Sequence, residues 1–77
     1  QSNGLAYGHL EGYHLEVEEV GPGGPIVRVD AYPQQEMAIV RYQGREVLVP
    51  LREDWIQALD AARKVVRMEL PDGLLDL

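Results

Sequence analysis

Apolar and polar residues alternate along several short stretches of this chain. Residues 13–19 place apolar side chains on one face and polar ones on the other, Tyr13, Leu15 and Val17 against His14, Glu16 and Glu18. This period of two predicts a half-buried β-strand. Similar patterns over 26–32, 45–50 and 64–70 predict three more strands. Residues 37–42 are nearly all apolar, which is typical of a strand covered on both faces.

Glycines and prolines separate these stretches. The run Gly-Pro-Gly-Gly-Pro at 21–25 predicts a turn, because proline lacks a ladder donor and glycine permits positive φ. Gln43 and Gly44 predict a tight hairpin, since glycine accepts left-handed geometry. Pro-Asp-Gly at 71–73 ends the last strand, and 74–77 would form a helical turn. Five strands with short turns indicate an all-β fold, a small antiparallel barrel.

Residues 52–63 are ambiguous. Trp55, Ile56 and Leu59 recur at helical spacing, and the alanines nearby favour helix. Local propensity alone therefore predicts one amphipathic helix.

Length and charge narrow the class of protein. The chain of 77 residues has room for one domain, and no apolar run reaches the roughly 20 residues of a membrane span. Without cysteine it holds no disulfide, and the cytoplasm is the default compartment. Thirteen acidic residues against seven basic ones give a charge of −6. Domains that bind phosphate groups are normally basic, so the negative net charge does not favour a nucleic-acid partner. It indicates either a basic protein partner or a role in solubility alone.

Groups suited to catalysis are scarce. The chain has no Cys or Thr, and Ser2 is its only serine. His9 and His14 lack the spacing of a zinc helix. We therefore expect no enzyme activity, no catalytic residue, no metal and no cofactor. Arg63, Lys64 and Arg67 form the one local basic cluster, a candidate phosphate contact or a plain charged face.

Two C-terminal segments carry a family resemblance. Residues 44–51, GREVLVPL, and 70–76, LPDGLLD, resemble the end of the ribosome maturation factor RimM family, whose C-terminal domain is a PRC barrel. Residues 9–13, HLEGY, are similar to the segment that begins that barrel. The resemblance implies an all-β, PRC-type antiparallel barrel of five to six strands over 9–77. It also implies one short helical turn near 54–56, followed by extended chain.

The resemblance also concerns the residues before the barrel. Residues 1–8 would be an interdomain linker or a cloning remnant, with an N-terminal barrel domain preceding it in the full-length protein. The family often carries two adjacent aromatics there, where this chain has Leu5 and Ala6. Tyr7 is the aromatic that remains, and as an aromatic outside the strands it is a better contact candidate than Trp55.

A function follows from the resemblance. It implies a cytoplasmic, non-catalytic factor that assists assembly of the head of the small ribosomal subunit and 16S rRNA processing. The implied partner is the basic nineteenth small-subunit protein, with a secondary rRNA contact. The candidate binding residues lie before the barrel and on its strands: Tyr7, His9, Glu16, Glu18, Arg63, Lys64 and Arg67. Neutralising Glu16, Glu18 and Glu19 should weaken that binding in low salt.

Two alternatives remain at this stage. One is a PRC-barrel adaptor of another system, such as a photosynthetic reaction centre or RNA metabolism. The other is an enzyme or accessory domain with a closely spaced carboxylate pair in a cleft.

Overall fold

The fold is one six-stranded sheet with three single-turn helices. The computed structural model describes residues 6–76. The strands are β1 (His14–Val17), β2 (Gly21–Ala31), β3 (Glu36–Tyr42), β4 (Arg45–Pro50), β5 (Ile56–Asp60) and β6 (Val65–Met68). The 3₁₀ helices cover Gly8–Leu10, Glu53–Trp55 and Leu74–Asp76. The predicted all-β barrel class is confirmed.

The strand order is β4-β3-β2-β1-β6-β5. Four of the neighbouring pairs are antiparallel, as predicted, but β1 and β6 run parallel, with His14 opposite Val65 and Val17 opposite Met68. The parallel pair arises because β5 and β6 form a hairpin of their own, which then joins β1 through β6. Within residues 6–76, β4 and β5 are not paired with each other, so backbone pairing does not close the sheet.

Alternation along the strands builds the core. Tyr13, Leu15 and Val17 are buried, and so are Val66 and Met68 on the parallel neighbour. The core also takes residues from the other strands and the flanking turns: Leu10, Ile26, Val29, Ala38, Val40, Val47, Val49, Leu51 and Leu75. The described part of the chain buries no polar or charged residue, so this interior is held by apolar packing.

The predicted turn at 21–25 is wrong. These residues are the first part of β2 and pair with β1, and the chain reverses before them, around Glu19, whose φ is 67°. Both prolines are tolerated because β2 pairs with β3 only from Ile26 onward, so one side of the strand needs no donors before that point.

Two β-bulges change which side chains of β2 face the core. The register shifts between Leu15 and Glu16 on β1, and again between Ile26 and Arg28 on β2 itself. Gly23 and Val27 are the extra residues. Buried positions therefore recur every third residue along β2, and Val27, which the alternation over 26–32 assigns to the apolar face, is 39% exposed. Ala31, predicted inward with it, is also exposed.

Glycine geometry fixes two other points of the sheet. The predicted hairpin is confirmed, with positive φ at Gln43 (52°) and Gly44 (82°) between β3 and β4. Gly24 has a φ of 101°, and a Cβ there would lie 2.0 Å from the Arg41 carbonyl oxygen. The backbones of β2 and β3 thus approach each other at a distance that only glycine allows.

Residues 52–63 adopt the structure that the family resemblance implies, a short helical turn and then extended chain, and not the helix that local propensity predicts. A 3₁₀ turn covers Glu53–Trp55, and β5 follows it directly. The single amphipathic helix is therefore wrong, because pairing with β6 supplies backbone hydrogen bonds to the extended chain.

Candidate protein-interaction surface

Four of the predicted contact residues meet on the outer face of β1 and β6. The parallel register places Glu16 beside Arg67. The Arg67 Nε lies 3.3 Å from a Glu18 carboxylate oxygen, and the Arg63 Nε lies 3.8 Å from Asp60. The side chains of both pairs are exposed, so each pair stabilises the fold little. A shallow depression of about 240 Å³ is lined by Glu16, Asp60, Arg63 and Arg67, together with Ala58 and Val65.

Two further candidates flank a core aromatic. The Lys64 ammonium lies 5.8 Å from the centre of the Tyr13 ring, and the His9 ring meets the same ring edge-on at 6.3 Å. His9 and Lys64 are exposed, whereas Tyr13 is buried. With Arg63 and Arg67 ion-paired and Lys64 over an aromatic face, the basic cluster read from the sequence is locally compensated.

Tyr7 lies elsewhere. Its side chain is partly buried and packs against the core, as does that of Trp55. The Tyr7 backbone N–H donates to one carboxylate oxygen of Glu36 (2.7 Å), and the Ala6 N–H donates to the other (2.5 Å). Glu36 begins β3, which β2 and β1 separate from β6. Tyr7 is therefore part of the barrel's own packing, and Leu5 lies outside the described residues.

A groove that sequence reasoning missed lies beside the C-terminal segment. The turn between β1 and β2 forms one wall, residues 69–76 form the other, and the volume is about 220 Å³. Five carboxylates line it, on Glu18, Glu19, Glu69, Asp72 and Asp76. The apolar lining consists of Val17, Val20, Tyr42, Leu70, Pro71, Leu74 and Leu75. The two walls come from distant parts of the sequence, so no local sequence pattern predicts the groove.

An exposed pair stands at the turn before β5. Arg52 donates two hydrogen bonds of 3.1 Å to the Asp54 carboxylate and lies 5.1 Å from the centre of the Trp55 ring. The hydrogen bonds lower the pKa of Asp54 and, with its charge, raise that of Arg52. Both side chains are exposed, so the pair adds little to the stability of this turn.

Two negative findings concern residues 6–76. No group of three or more His, Cys, Asp or Glu side chains is arranged to hold a metal ion. No helix there has the length and apolar character needed to cross a bilayer.

Comparison with known proteins places the chain in a family. The model of the RimM PRC barrel domain matches residues 7–74. The chain belongs to the RimM family. A ribosome maturation factor RimM from Bacteroides thetaiotaomicron is 32% identical over 74 residues, covering 95% of this chain and 41% of the relative. RimM from Nitratidesulfovibrio vulgaris is 36% identical over 70 residues, covering 88% of this chain and 40% of that protein.

A solved structure supports the fold. The crystal structure described as a 16S ribosomal RNA processing protein RimM from Pseudomonas aeruginosa superposes with a TM-score of 0.73. It covers 92% of this chain and 48% of that one, at 20% identity. The chain thus spans about two fifths of the length of the RimM sequences it matches, and the match to the RimM family is to its PRC barrel domain.

Proposed function

We propose that this chain is the partner-binding PRC-barrel domain of a cytoplasmic ribosome maturation factor. It assists assembly of the small-subunit head and 16S rRNA processing without catalysing a reaction. The observation that carries the proposal is the match of the RimM PRC barrel domain to residues 7–74. The names of its relatives, ribosome maturation factors, supply the biological setting.

The direct partner we propose is a basic protein, the nineteenth of the small subunit. The charge of −6 supports a cationic partner. The placement of the arginines adds to this support: Arg28, Arg41, Arg52, Arg63 and Arg67 each pair with a carboxylate of this chain. Such pairing weakens the positive field that these five arginines could offer to RNA phosphate.

The mechanism is binding alone. A ligand that binds one arrangement of a flexible junction better than another shifts the population toward the arrangement it prefers. By binding a ribosomal protein in the arrangement that it has in the mature subunit, the domain would increase the population of small subunits with a correctly assembled head. Complementary charge would speed encounter and disfavour wrong partners, with a strong dependence on ionic strength.

The test is capture of small ribosomal subunits, comparing this chain with the complete gene product. In a parallel titration, the purified nineteenth protein is mixed with this chain and with a variant carrying Glu16→Gln, Glu18→Gln and Glu19→Gln. We expect the wild-type chain to bind, and the variant to bind roughly tenfold more weakly in low salt. An affinity that the three substitutions leave unchanged would contradict an acidic contact surface on β1 and the turn that follows it.

A further inference from the structure

The groove between the β1–β2 turn and residues 69–76 combines two properties. Apolar side chains and carboxylates share its lining, and Val20 in that lining is 57% exposed, the most exposed large hydrophobic residue in the described chain. The lining residues that carry a charge at neutral pH are all acidic. At about 220 Å³ it is smaller than the roughly 300–1,000 Å³ of typical small-molecule sites. Its size suits a few side chains of a macromolecule.

The charge of the groove is only partly compensated. Glu18 pairs with Arg67 at 3.3 Å, and Glu69 accepts a hydrogen bond of 3.4 Å from the Gln57 amide. Glu19, Asp72 and Asp76 take part in none of the side-chain hydrogen bonds and ion pairs found among residues 6–76. An anion such as RNA phosphate would be repelled here, and a cation would be attracted.

We propose that this groove receives a lysine or arginine side chain, with its flanking residues, from a basic segment of the domain's protein partner. Long cationic side chains suit both properties, since their methylene stems pack on apolar surface while the charged head stays among carboxylates. The assignment rests on the proposed function and narrows it to one surface. It moves the main contact from the middle of β1, where Glu16 lies, to the end of β1 and the C-terminal segment.

The experiment compares two double variants of this chain that change the net charge equally. Asp72→Asn with Asp76→Asn removes two groove carboxylates. Glu11→Gln with Glu53→Gln removes two exposed carboxylates outside the groove. Binding of the purified nineteenth small-subunit protein is measured by calorimetry in low salt, with urea midpoints to confirm unchanged folding. We expect the groove variant to bind roughly fivefold to tenfold more weakly and the control by less than about twofold.

A second comparison tests the apolar part. Val20→Ser changes the rim, and Val27→Ser changes an exposed valine on another part of the sheet. Only the former should weaken binding, by roughly threefold. Neither should alter stability much, because both side chains are exposed.

The outcomes separate this assignment from the function on which it rests. If the wild-type chain fails to bind the protein, the proposed function fails and the groove assignment with it. If the wild type binds and both charge variants weaken equally, or neither does, the function stands and the groove is not the contact. Tighter binding of free 16S rRNA by the groove variant than by wild type, with protein binding unchanged, also overturns it.

Discussion

Replacing Gly24 by alanine tests the close approach of β2 and β3 directly. The residue has a φ of 101°, which alone costs a residue with a Cβ about 1–2 kcal/mol. The new Cβ would also lie 2.0 Å from the backbone oxygen of Arg41, and backbone cannot swing aside as a flexible side chain does. Overpacking of this kind adds about 1–3 kcal/mol, so we expect a loss of about 2–5 kcal/mol in the free energy of unfolding.

Gly44→Ala is the matched control. Its φ of 82° imposes a similar conformational cost, but a Cβ there meets nothing within 4 Å. It should lose only about 1–2 kcal/mol. A chain of 77 residues has a total free energy of unfolding of about 4–12 kcal/mol. Gly44→Ala should therefore fold, whereas the loss expected for Gly24→Ala reaches the lower end of that total.

Urea unfolding followed by Trp55 fluorescence and by far-UV circular dichroism measures both variants. With a slope near 1 kcal/mol per molar urea, the control midpoint should fall by about 1–2 M and that of Gly24→Ala by at least about 2 M. Equal losses in the two variants would refute the reasoning, because they would mean that no backbone contact limits the side chain at position 24.

Two further predictions concern the first two 3₁₀ helices. Leu10→Ala should cost about 2–5 kcal/mol in urea unfolding, because Leu10 is 0% exposed although it precedes the first strand; a loss below about 1 kcal/mol would mean that the first 3₁₀ helix does not belong to the core. The lowered pKa of Asp54 means that its pairing with Arg52 stabilises the fold above the aspartate's ordinary pKa and is lost as the pH falls through the lowered value. The urea midpoints of wild type and Asp54→Asn should therefore converge in acid, and a difference that persists at low pH would contradict the pairing.

Local sequence patterns predicted the local part of this structure well. The alternation from Tyr13 to Val17 and the Gln43-Gly44 turn depend on neighbours only a few residues apart, and both are as expected. The bulges in β2 were not foreseen, because they depend on how that strand meets two partners at once. Val27 is an example. The alternation of apolar and polar residues assigns its side chain to the core, but the register shift between Ile26 and Arg28 places it on the exposed face.

The candidate site was predictable only in part. Glu16, Glu18, Arg63 and Arg67 lie together because β1 pairs with β6, a pairing between distant segments that no spacing reveals. Tyr7 stays a predicted contact, but the hydrogen bond from its backbone N–H to Glu36 joins segments too far apart in the sequence to be predicted from local spacing. The groove was missed for a similar reason, since its walls are brought together by the same parallel pairing that was not foreseen.

The parallel pairing of β1 with β6 sets an order of events during synthesis. β1 finds its first neighbour in β2 at once, but its other edge stays open until residues 65–68 have left the ribosome. Closing so long a loop costs entropy that the shorter hairpins avoid, so this step should come late in folding. A product that stops before residue 65 would therefore lack both the pairing of β1 with β6 and one wall of the groove. Only a chain that reaches past residue 76 would present both walls of that groove.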